Sequence, residues 1–188
     1  MMSEQETLLH QDFLGFEPGM FSTDVGPHTE YHFLSEAAPK GGWSVACFAS
    51  REAGRGWWIE DVGGQRAMRH TQTNKHLHTH PMLAAGDTLW DDYTLKIRFR
   101  PESDAQRCGV VFRYQNNRCY YFFGFDGPSV ALISVRHETA FHVPNEKVLA
   151  AADVVRDDEI DVEAVVTLNG SRIRCEIPGL VVLEADDD

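Results

Sequence analysis

Residues 108–127 read CGVVFRYQNNRCYYFFGFDG, and the reading of this stretch decides the fold. Two runs rich in β-branched and aromatic residues flank QNNR. Asn in so short a connection is a hairpin signal, so two antiparallel strands are expected around it. Upstream, DDYTLKIRFRP (91–101) alternates Tyr93, Leu95, Ile97 and Phe99 with Thr94, Lys96, Arg98 and Arg100. That period of two marks a strand with one buried face. Downstream, SVALISVRH (129–137) reads as a strand. EIDVEAVVTLNGSRIRCEIPG (159–179) reads as a second hairpin whose Asn-Gly turn tolerates positive φ. LVVLEAD (180–186) begins a further strand. Turn spacings of about 8–12 residues predict an antiparallel sandwich or barrel. NEKVLAAADVV (145–155) reads as a loop crossing the sheet edge, with a short helix as the alternative.

The first 70 residues differ. FLGFEPGMFSTDVGPH (13–28), PKGGW (39–43) and GRGWWIEDVGGQ (54–65) are rich in Gly, Pro and Trp, which mark turns. Short strands, WSVACF (43–48) and WWIED (57–61), fit between them. No stretch there holds an i, i+3, i+4 apolar stripe for three turns, so no helix of ordinary length is expected. Residues 1–70 are read as an irregular region of the same domain, and 71–188 as its body.

The 188 residues are 43 % hydrophobic, enough for a real core. The formal net charge is −12. An acidic surface repels phosphate backbones and anionic lipid, so neither nucleic acid nor membrane is an expected partner. No apolar run approaches the ~20 residues of a membrane-spanning helix. The start, MMSEQETLLHQDF, lacks the basic and apolar segments of a secretory signal, which points to the cytoplasm. Cys47, Cys108, Cys119 and Cys175 form no C-x-x-C pair and read as reduced.

Residues 88–101, 109–125, 130–135 and 159–187 together resemble the laminin-G-like branch of the concanavalin-A-like lectin and glucanase superfamily. The resemblance lies in the Trp90–Tyr93 strand opening, in VVFRYQNNRCYYFFGF and in the final hairpin. It implies an all-β, antiparallel, two-sheet jelly roll. It also implies an oligo- or polysaccharide ligand, bound by a lectin-like module or by part of a larger carbohydrate-active protein. Such domains continue where this sequence stops, at LEADDD, so a final strand is expected to be lacking and a sheet edge to be open to self-association.

Four groups could carry chemistry. Arg98, Arg113 and Tyr120 fall opposite the apolar set, on strands expected to be neighbours. Arg can grip a carboxylate bidentately and Tyr can stack on a pyranose ring. His76, His78 and His80, in TNKHLHTHP (73–81), share one side of an extended segment. One straight strand spreads them too far for a single metal, so no metal site is assigned; they read as the partly exposed polar rim of a sheet, with hydrogen bonding to a saccharide as the ligand-binding role. Glu159, Asp161 and Glu163 match the E-x-D-x-E of retaining endoglucanases in the same superfamily, where one Glu attacks and another protonates. They supply the alternative, a glycoside hydrolase or polysaccharide lyase. Asp12 and the terminal Asp run could contribute to a structural calcium, and no other cofactor is indicated. The expected core includes Leu95, Ile97, Phe99, Val110, Phe112, Val130, Leu132, Ile160, Val162 and Ile173.

Overall fold

The computed structural model describes residues 6–21, 41–47, 56–71, 81–102, 106–116, 118–136, 145–155, 157 and 160–187. The chain forms two compact units, Met1–Gly86 and Asp87–Asp188. Among the described residues every regular element is a strand and every strand pairing is antiparallel.

In the first unit, β1 (Gly19–Met20), β3 (Trp57–Val62) and β4 (Gln65–His70) form one small sheet in the order β1-β3-β4. β2 (Trp43–Cys47) and β5 (Pro81–Ala85) form a two-stranded ribbon. The strands expected from WSVACF and WWIED are therefore present. The Gly63-Gly64 turn joins β3 to β4, and Arg66 Nε meets Asp61 across that hairpin at 2.7 Å. Phe16 sits edge-on to Phe21, with 5.3 Å between ring centroids.

The second unit is a sandwich of two four-stranded sheets. One contains β7 (Arg107–Asn116), β8 (Cys119–Asp126), β9 (Ser129–Arg136) and β10 (Glu146–Asp153), ordered β10-β9-β8-β7. The other contains β6 (Thr94–Phe99), β11 (Val162–Asn169), β12 (Arg172–Ile177) and β13 (Val181–Asp186), ordered β13-β12-β11-β6. Between them lie Phe112, Phe123, Phe125, Val130 and Leu132 from the first sheet, and Val166, Leu168, Ile173 and Cys175 from the second. Each such side chain withdrawn from water stabilises the fold by about 1.5–3 kcal/mol.

Three expectations change. The 145–155 segment is neither loop nor helix but the strand β10, held by its ladder to β9. Tertiary pairing outweighs the weak β preference of its three alanines. Ile160 is 56 % exposed and precedes β11, so it stands outside the core. Finally, β6 pairs with β11, not β7, so Arg98 and Arg113 belong to different sheets. Leu95, Ile97, Phe99 and Val162 do line the core, partly buried.

Candidate functional site

One end of the sandwich concentrates strain and polar contacts around Arg113. The β7–β8 register shifts between Phe112 and Asn116, so β7 carries a bulge there. Arg113 sits in it with φ of 45°, a left-handed conformation that a residue with a Cβ adopts at a cost of about 1 kcal/mol or more. The bulge takes the Arg113 N–H out of the ladder, and it donates to Tyr93 Oη at 3.1 Å. The Arg113 guanidinium donates through Nη2 to the carbonyl of Gly170, in the β11–β12 turn. The Gly170 N–H donates in turn to Asp92 Oδ1 at 2.7 Å, and the Leu168 N–H to the Tyr93 carbonyl at 3.0 Å. Burial raises the Tyr93 pKa, against the lowering influence of the Arg113 N–H and charge, so its hydroxyl stays protonated at neutral pH. The bulge thus locks the start of β6 to the β11–β12 turn. Nε and Nη1 of Arg113 make no hydrogen bond to any described residue.

The same turn is held from its other side by Asp187. The Asp187 N–H donates to the Ser171 carbonyl at 3.0 Å. Its carboxylate accepts from Tyr121 Oη at 2.9 Å and pairs with Lys147 Nζ at 3.3 Å and Arg136 Nη2 at 3.4 Å. Arg136 also donates to Tyr121 Oη at 2.9 Å, and the Tyr121 ring stacks on Phe112. The terminal Asp run was a candidate contributor to a structural calcium. Asp187 is instead largely buried, tying the end of the second sheet to β8, β9 and β10.

Burial alone would raise the Asp187 pKa. The Tyr121 and Lys147 hydrogen bonds and the Lys147 and Arg136 charges outweigh it and hold the pKa below the usual carboxylate value. A depressed folded pKa gives stability that is present above the unfolded pKa, about 3.9, and lost as pH falls through the folded value. Asp187→Asn should therefore destabilise by about 1–2 kcal/mol at pH 7. Urea unfolding of both proteins should show that difference shrinking below pH 4. A difference that stayed constant from pH 7 to pH 3 would disprove the ionic role.

The other sequence candidates lie elsewhere. Tyr120 is 4 % exposed and offers no stacking face to solvent. It lies beside Tyr114, ring centroids 6.3 Å apart, in the surroundings of Glu146 and Arg107. Burial first, then the Glu146 charge, raises its pKa. Burial pushes the Tyr114 hydroxyl up to about 12. Arg98 lies on the outer face of the second sheet, directly across from Glu163. Asp161 pairs with Arg100 Nε at 2.8 Å and approaches Arg98 Nε at 4.0 Å. These are ordinary cross-strand and neighbouring ion pairs, and they occupy the Asp161 carboxylate. Glu159 and the three histidines, His76, His78 and His80, lie outside the described residues. Asp12 accepts the Leu14 N–H at 3.0 Å. Among the described residues no three His, Cys, Asp or Glu side chains gather as a metal site.

Sequence reasoning missed Arg107. Its guanidinium grips Asp126 through Nε and Nη2, at 3.2 and 2.9 Å, and Glu146 through Nη1 and Nη2, at 2.7 and 3.0 Å. It lies 5.3 Å from the centre of the Phe122 ring. The two carboxylates hold its pKa above the ordinary arginine value despite the opposing effect of burial. In the sequence, Glu146 belongs to the segment read as a loop, so nothing placed it beside Arg107.

Comparisons with protein-family models, with curated proteins and with solved structures give no match for this chain.

Proposed function

We propose that residues 87–188 are a laminin-G-like jelly-roll module that binds an oligo- or polysaccharide at the Arg113 end of the sandwich. The resemblance of residues 88–187 to that superfamily supports the choice of ligand, and two stacked antiparallel sheets are compatible with it. The observation that carries the site is the φ of 45° at Arg113. Strain of this kind persists only where the surroundings over-determine it, and it clusters where a side chain must be aimed. Here Tyr93 Oη and the Gly170 carbonyl hold the residue. Nε and Nη1 remain to donate to sugar hydroxyls or to a uronate carboxylate. Arg98 and Tyr120 are not part of this site, one facing Glu163 and the other buried.

Losing a charge-assisted hydrogen bond to a ligand costs about 1.5–3 kcal/mol, which corresponds to roughly a 10- to 150-fold weaker Kd. Arg113→Ala should show that loss for whichever saccharide the wild-type protein retains on a glycan array. Arg113→Gly relieves the backbone strain, so it should unfold no more easily than Arg113→Ala while losing the same affinity. An array on which the wild type binds nothing, or unchanged affinity in both variants, would overturn the assignment.

A further inference from the structure

The second sheet ends at β6 on one side and β13 on the other, and among the described residues each has one hydrogen-bonded neighbour. The free N–H and C=O groups of such strands can accept another strand. On the outward face the two edges are oppositely charged. β6 carries Lys96 and Arg98, with Arg100 just beyond its end, whereas β13 carries Glu184 and Asp186. β13 also exposes Val182 (54 %), and the preceding turn exposes Leu180 (41 %). Lys96 makes no ion pair with any described residue. Among the described residues Glu184 pairs only with the exposed Arg172 and Arg174 of its own sheet, at 3.2 and 3.4 Å.

Every neighbour in the order β13-β12-β11-β6 is antiparallel. A second copy placed beyond β6 in the same orientation therefore presents its β13 antiparallel to that strand. The ladders place Lys96 level with Val165, Glu176 and Val182. Docking without a slip would set Thr94 against Glu184 and bring Asp92 towards Asp186, a like-charge contact. A slip of two residues keeps every side chain on its own face. It sets Lys96 opposite Glu184, lays the Arg98 stem over Val182 and the Arg100 stem over Leu180, and moves Asp186 to Thr94. Opposite-charge pairs across strands are favourable, and long basic side chains cover apolar surface while their heads stay wet.

We infer that β6 of one copy and β13 of a second join as one continuous antiparallel sheet, in the register that pairs Lys96 with Glu184. The contact uses different surfaces on the two copies, so copies add head to tail. Sedimentation velocity of the 188-residue chain over a range of concentrations tests this. At low ionic strength the weight-average mass should rise to at least twice the monomer value. In about 0.5 M NaCl, where charges are screened beyond a few ångströms, it should fall back. K96E and E184K should each stay at monomer mass. An equimolar mixture of the two should assemble again, because each supplies the edge the other lacks. The inference is overturned if the wild type stays monomeric at every concentration, if either variant alone assembles like the wild type, or if the mixture stays monomeric.

Discussion

Gly124→Ala should destabilise the sandwich by about 3 kcal/mol or more, enough to threaten a fold whose total stability is typically about 5–15 kcal/mol. Gly124 and Gly109 face each other across β8 and β7. A Cβ on Gly124 would strike the Cys108 carbonyl oxygen and lie 2.6 Å from the Gly109 Cα. A Cβ on Gly109 would strike the Phe123 carbonyl oxygen and lie 2.7 Å from the Gly124 Cα. In both cases the obstacle is backbone, so no rotamer change relieves it. Gly124 also has φ of 155°, which a side chain disfavours. The two strands must separate locally, and the neighbours of Gly124, Phe123 and Phe125, are both in the core. Gly127 is the control. It lies in the next turn at φ of 59° with nothing near its missing Cβ, so Gly127→Ala should cost only about 1 kcal/mol. Guanidinium unfolding of both variants separates the two effects. Equal midpoints would show that the close approach of β7 and β8 is not what requires Gly124.

What the sequence revealed and what it hid divide by range. β7, β8, β11 and β12 were legible because alternation and turn residues are local, and the QNNR and LNGS connections lie where the hairpins turn. β10 was hidden because a run of alanines and charges has no strong preference of its own, and only its ladder to β9 makes it a strand. Sheet membership was hidden too. Nothing within DDYTLKIRFRP says that β6 pairs with β11, some seventy residues away, so Arg98 was placed beside Arg113 when the two lie in different sheets. The Tyr120 error was avoidable. CYYFFGF, residues 119–125, has no polar face, and an unbroken apolar run marks a strand buried on both sides. Tyr120 through Phe125, and Val130 through Val135 on the next strand, are indeed all buried. Arg113 was picked for its charge, but the backbone strain that distinguishes it from other surface arginines could not be read from FRYQNN.

Arg107→Ala should destabilise by about 2–3 kcal/mol at pH 7 and change the direction of the pH dependence. Removing one partner of a buried ion pair can cost about 3–5 kcal/mol, and partial solvent access here lowers that figure. The guanidinium is the shared counter-charge of Asp126 and Glu146, contacting both at 2.7–3.2 Å. Without it, the two carboxylates that met on one group lose their shared counter-charge. Like charges brought together without their shared cation repel, which destabilises the folded variant while both stay ionised. Taking up a proton relieves that repulsion in the folded state and not in the unfolded chain, where the two groups are far apart. Stability of the variant should therefore increase as pH falls from 7 towards 5, before general acid unfolding begins. The wild type should show no such gain, since Arg107 compensates both charges. Adding Glu146→Gln to Arg107→Ala removes the repulsion and should restore about half of the loss at pH 7 while abolishing the gain on acidification. Urea midpoints at pH 5, 6 and 7 read all three proteins directly. If Arg107→Ala loses stability in parallel with the wild type across that range, the two carboxylates do not depend on Arg107 for neutralisation, and its contribution lies in packing over Phe122 alone.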